Sequence, residues 1–248
     1  MSERPVLNLL CAGAAQGLVE ALQGGFEAVS GAAVHTRFGA VGAMKEALLG
    51  GALCDVMVTS AAQLDELVRG GALRAGTALP LGRVSTGVAV RAGDPAPAID
   101  TAAALRDALR AADRIYFPDA VRSTAGSHFS GVLKQLGIDE EVAARLATFP
   151  NGATAMRELA ASTATAPVGC TQVTEIVRTA GICLVGPLPP ALGLSTVYAA
   201  AISARVADPA RAAAFVACLT GEPSRPARLA AGFELEAPTP SLSPSSGP

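Results

Sequence analysis

Val6-Leu-Asn-Leu-Leu-Cys-Ala-Gly-Ala-Ala-Gln-Gly17 sets the pattern on which the whole chain is built. A short apolar run meets a turn of small residues, and the helical spacing of Leu18, Leu22, Phe26 and Val29 follows at once, which reads as strand, turn, helix. The succession returns with turns at Phe38-Gly-Ala-Val-Gly-Ala-Met44, Arg122-Ser-Thr-Ala-Gly-Ser-His128, Asn151-Gly-Ala-Thr-Ala155 and Gly169-Cys-Thr-Gln172. Each helix start leaves unpaired backbone N–H groups and a partial positive charge, so several converging starts hold an anion without lysines. The expected ligand is therefore small and negative, and no cofactor or metal is called for.

Outward from these turns, strands are expected at Ala33 to Phe38, Asp55 to Thr59, Arg83 to Arg91, Ile115 to Phe117, Thr148 to Pro150, Pro167 to Gly169, Ile182 to Val185 and Ser195 to Ile202. Helices are expected between them, including Ser127 to Leu136, Glu140 to Leu146, Ala153 to Ala161, Gln172 to Arg178 and Pro209 to Leu219. Such alternation predicts an α/β fold with open, mostly parallel sheets. The two long strands, Arg83 to Arg91 and Ser195 to Ile202, flank the middle third and divide the chain into one lobe from 1–82 plus 200–234 and another from 83–199. The Pro/Ser-rich residues 235–248 read as a disordered tail.

Composition narrows the partners. The 248 residues are 50% hydrophobic and 16% charged, enough apolar content for a full core, and a net charge of -2 gives no basic footprint for nucleic acid or acidic membrane. Aromatics make up only 4% and Trp is absent, which argues against a base-stacking platform. Five cysteines without a C-x-x-C pair fit neither a zinc knuckle nor a closed disulfide framework. Thr179 to Ala204 carries no charge, but Pro187, Pro189 and Pro190 break it into two strands rather than one membrane helix. The apolar run Val6 to Leu10 is too short for a signal segment, so a cytoplasmic location is expected, or a periplasmic one if a leader has been removed. No Walker lysine, dinucleotide glycine pattern or nucleophile elbow occurs.

Phe38-Gly-Ala-Val-Gly-Ala-Met-Lys, Cys54-Asp-Val-Met-Val-Thr, and Thr124-Ala-Gly before a helix ending Leu133-Lys-Gln-Leu-Gly137 together resemble the type 2 periplasmic substrate-binding fold, in its molybdate-binding branch. The resemblance covers residues 6–234 and implies a two-lobed, periplasmic-binding-protein-like architecture joined by two crossover strands, with the ligand between the lobes. It places Ala14 or Ala15, Val41 (beside Gly42 and Ala43) and Ala125 at the ligand, with Tyr198 as the crossover tyrosine. Hydroxyl donors of the first two turns are replaced here by Ala and Val, a loss of about 1–3 kcal/mol each for a tetrahedral oxyanion. The resemblance thus implies a solute-binding protein for a small organic carboxylate or polycarboxylate, working with a transporter permease if exported. The same branch resembles bacterial aconitate isomerases, which implies the alternative of a proton-shifting isomerase.

Other candidates come from the turns themselves. Arg122, Ser123, Thr124 and Gly126 surround the third turn, with Arg122 either clamping a carboxylate or pairing with Asp119. His128, in the first helical turn, is the candidate general acid or base. Asn151 and Thr154 act as helix cap or ligand contact, Thr171 as a contact, and Cys170, placed where a strand opens into a helix, as a thiolate. His35 reads as a strand-edge residue, and Cys11, Cys54, Cys183 and Cys218 as core.

Overall fold

A computed structural model describes residues 4–235. β1 (Val6–Ala12) leads through a 3-10 turn at Gly13–Ala15 into α1 (Gln16–Ser30), which buries Leu18, Val19 and Phe26. β2 (Ala33–Gly39), α2 (Val41–Leu49), β3 (Val56–Ser60) and α3 (Ala61–Arg69) follow. β1 lies between β2 and β3 in parallel pairings, so it is covered on both sides and needs its continuous apolar run. β2 lies at the sheet edge and keeps His35 and Arg37 exposed, as an edge requires.

β4 (Leu79–Arg91) is the longest strand, and its two ends belong to different sheets. Its first half pairs antiparallel with β9 (Ser195–Ile202), from Leu79↔Ala200 to Ser85↔Ser195, and β9 in turn pairs with β3. Its second half pairs with β7 (Pro167–Gln172) on one side and β8 (Ile182–Pro187) on the other. β5 (Arg114–Pro118) and β6 (Leu146–Phe149) complete the order β2-β1-β3-β9-β4-β7-β5-β6. Connecting helices are α4 (Ala102–Ala111), α5 (Thr124–Gln135), α6 (Asp139–Val142), α7 (Gly152–Ala160) and α8 (Val173–Val177); α9 (Pro209–Thr220) and α10 (Arg225–Ala230) return the chain to the first sheet.

The result is the two-lobed α/β fold expected, and each lobe has its own core. In the first, Phe26 of α1 meets Phe215 of α9 edge-on at 4.8 Å; in the second, Phe117 of β5 meets Phe129 of α5 at 5.3 Å. The expected helix from Glu140 to Leu146 is instead the single turn α6 plus a 3-10 turn, because Leu146 is drawn into the parallel pairing Ile115↔Leu146. The proline-broken apolar stretch forms β8 and β9 as read, and no helix among the described residues is long and apolar enough to cross a membrane. Cys11 and Cys54 are core residues and Cys218, half-buried on α9, packs against the first-lobe core, but Cys183 is exposed on β8, which pairs with β4 alone. The expected tail, apart from Leu235, lies outside the described residues.

Phe215 is fully buried. Phe215→Ala is expected to lower unfolding stability by about 3–5 kcal/mol, measured by urea denaturation.

Candidate functional site

The crossing of β4 and β9 turns the C-terminal ends of β1 and β2 toward those of β5, β6 and β7, the end of a parallel strand where α/β proteins hold ligands. Between them lies a cavity of about 10 Å³, room for a single water molecule. The first lobe lines it with Ala12, Gly13, Ala14, Gly39, Ala40 and Val41; the second lines it with Ser123, Thr124, Ala125, Asn151, Gly152, Gln172 and Glu175, and Tyr198 of β9 closes it. A roomier groove of about 590 Å³ between β4 and α9 has a charged rim of Arg83, Glu222, Arg225 and Glu234, and the helix starts on it, at Glu222 and Arg225, are consecutive turns of one short segment.

The lobes are shut on one another. Gly42 N–H donates to the Arg122 carbonyl across the rim at 2.9 Å, and a Cβ at residue 42 would press on the same carbonyl at 3.0 Å. Arg122 pairs with Glu46 at 3.2 Å on one flank, and Arg178 with Glu20 at 2.7 Å on the other.

Five helix starts border the cavity, and side chains cap only two of them. In the second lobe, Ser123 Oγ accepts from Gly126 N–H at 3.3 Å and Asn151 Oδ1 from Thr154 N–H at 2.9 Å, so both side-chain oxygens act as N-caps. In the first lobe, Ala12 and Ala40 stand at the cap positions and have no side chain to offer. The first-turn N–H groups there are left without a side-chain cap, and of these Gly42 N–H is taken by the Arg122 carbonyl at the rim.

Beneath these starts is a buried polar group that the sequence reading does not single out. Glu175, only 5% exposed, accepts from Thr171 Oγ1 at 2.6 Å. Its carboxylate fits because residues 13 and 152 are glycines: a Cβ at 152 would overlap Glu175 Oε2 and Thr171 Oγ1, and one at 13 would crowd Oε1. Burial pushes the carboxyl above the ordinary glutamate range, while the Thr171 hydroxyl, the nearby N–H of Ala153 and the charge of Arg178 pull it back. Burial, then the charge of Glu175, raises the Tyr198 phenol as well. Gln172, 3% exposed, has neither amide atom in a hydrogen bond among the described residues. Its amide lies close enough to the Tyr198 phenol to offset part of that rise, yet without hydrogen-bond geometry.

Of the predicted site residues, Ala14, Val41, Ser123, Thr124, Ala125, Asn151 and Tyr198 come together at the cavity. Ala15 is buried behind it, Gly42 serves the rim contact, Ala43 packs beside Met44, and Gly126 is pressed against the Pro118 and Asp119 carbonyls. Arg122 corrects the clamp expectation: its side chain is 57% exposed and points to Glu46, while Asp119 accepts the backbone N–H groups of Val121 and Arg122 instead. Thr171 is directed at Glu175 rather than at the cavity. His128 is turned away, its Nε2 at 2.8 Å from the Leu192 carbonyl, so the isomerase alternative loses its base. Cys170 lies inside β7 rather than at a helix start, and burial pushes its thiol up, the reverse of a thiolate site. The missed residues, Glu175, Gln172 and Gly152, had one local signal: two polar side chains, Gln172 and Glu175, right where a buried strand ends.

Two α/β lobes joined by crossing strands, with a cavity walled by helix starts from both, define the class of type 2 solute-binding proteins. The chain belongs to the family described as "Bacterial extracellular solute-binding protein", whose model matches residues 7–234. No curated protein sequence matches it. Among solved structures it is similar to the periplasmic molybdate-binding protein of Azotobacter vinelandii, at 22% identity and TM-score 0.77 over 93% of this chain and 100% of that one. It is also similar to the sulfate-binding protein SubI of Mycobacterium tuberculosis H37Rv, at 19% identity and TM-score 0.75 over 94% and 88%. PEB3 bound to L-phospholactate shares the fold at 14% identity and TM-score 0.69 over 93% and 100%. At these identities the likeness is one of fold. A cytoplasmic location finds no support in a family described as extracellular, with which the exported alternative agrees.

The raised Glu175 carboxyl has a signed consequence. A folded-state pKa above the unfolded one gives a stabilising contribution that is complete below the ordinary value of 4.5 and is lost as pH rises through the folded value. In thermal melts across pH, Glu175→Gln should therefore gain in Tm relative to the wild type as pH rises above 4.5.

Proposed function

We propose that the protein is the solute-binding component of an import system and that its interlobe cavity holds a small organic carboxylate. One observation carries this reading: none of the residues lining the cavity is Lys, Arg or His, and the helix starts of both lobes meet there among Ala12, Ala14, Ala40, Val41 and Ala125. Backbone N–H groups and helix dipoles suit the anionic end of the ligand, and the alanine and valine walls suit its carbon atoms. A bare tetrahedral oxyanion fits less well, because Ala14 and Val41 offer it no hydroxyl. The shut cavity is smaller than any such ligand, so binding takes place to the open clamp and closure follows.

The likeness to sulfate- and molybdate-binding proteins supports the class of ligand, an anion, and a membrane permease is the partner such a component requires. The test is a thermal-shift and calorimetric panel of acetate, propionate, lactate, malate, citrate, sulfate and molybdate. Carboxylates should raise Tm, with a stabilisation of about 2.7 kcal/mol at one hundred times Kd. Selective stabilisation by molybdate or sulfate would overturn the carboxylate reading.

A further inference from the structure

The cavity holds a carboxyl group of its own at the place where an anion would be expected to sit. Glu175 is buried and glycine-cradled, its Oε2 is engaged by Thr171, and it borders the cavity. An ionised carboxylate only accepts hydrogen bonds. A fully ionised ligand group placed against it would bring like charges together in a poorly solvated space. A ligand hydroxyl placed there would instead make a charge-assisted hydrogen bond.

Beside it, Gln172 supplies what Glu175 lacks. Its buried amide carries a donor, Nε2, and an acceptor, Oε1, neither satisfied among the described residues, and it faces the same cavity. Buried amides ordinarily find partners, so a pair of free atoms on a cavity wall points to a ligand that completes them. Gln172 and Glu175 rise from the same strand end, and together they present a donor for a carboxylate oxygen next to an acceptor for an O–H.

We infer that Glu175 and Gln172 set the specificity of this site: Glu175 accepts a hydrogen bond from an O–H on the ligand while Gln172 donates to the ligand's carboxylate, so the preferred solutes are hydroxycarboxylates. This rests on the carboxylate reading above and narrows it. Anions without an O–H, whether carboxylate or tetrahedral, bind more weakly because they offer Glu175 no hydrogen bond to accept.

The test uses matched probes that differ by one hydroxyl, propionate against lactate and succinate against malate, with isothermal titration of the wild-type protein at neutral pH. The hydroxylated member of a pair should bind at least about tenfold more tightly. Glu175→Gln should bring that ratio to near one, whereas Gln172→Leu should weaken every carboxylate and leave the ratio in place. If the wild type binds both members of each pair equally, the inference on Glu175 fails while the carboxylate reading stands. If it binds no carboxylate at all, that reading itself fails. Because the wild-type ratio decides the matter alone, a variant that does not fold leaves the inference testable.

Discussion

The antiparallel pairing of β4 with β9 is the constraint on which the rest of the molecule depends. From Leu79↔Ala200 to Ser85↔Ser195 the two strands run side by side out of one sheet, and from Thr86 onward β4 takes β7 and β8 as partners in the other. Two strands crossing together fix the direction in which each lobe presents its strand ends, which a single flexible connection would not do. The helix starts at Val41, Thr124 and Gly152 face one another for this reason, although they are far apart in the chain. Tyr198, on one of the crossing strands, sits at the back of the cavity for the same reason.

Within that frame the site is a balance of opposite preferences. The capless starts of the first lobe and the dipoles of α2, α5 and α7 favour negative charge. Glu175, held between Gly13, Gly152 and Thr171, adds a buried carboxyl acceptor beside them. A site with only donors would take the most highly charged small ion available. Adding one buried acceptor changes the selection from charge to hydrogen-bond pattern, and makes the composition of the walls, alanine and valine rather than serine, matter.

What the sequence disclosed and what it concealed divide along the range of the interactions. The strand, turn and helix successions are local: Val6 to Gly17 carries its own apolar run and small-residue turn, and the α/β fold follows from repeats of it. Tyr198 and Val41 reach the cavity through the resemblance in their local motifs. Glu175 is different, because Val-Thr-Glu-Ile at the start of a short helix looks like an ordinary acidic first turn. Its burial depends on glycines 162 and 23 residues earlier in the chain, at 13 and 152, and no local pattern reports that. His128 and Arg122 fail in the opposite sense: their positions beside a turn were readable, but the rotation of α5 and the reach of Glu46 decide where the side chains go. Cys170 was misplaced because β7 continues to Gln172, beyond the Gly169 at which its apolar run stops.

The contact between Gly42 and the Arg122 carbonyl makes the rim of the clamp a doorstop position. Any side chain added at residue 42 would press on the opposite lip, its Cβ meeting the Arg122 carbonyl at 3.0 Å. The shut form would become a smaller fraction of the population, and apparent affinity would fall by that same fraction while the chemistry of recognition stayed as it is. The rim contact and the cavity lining are thus two separate places in the fold, and a change at one need not alter the other.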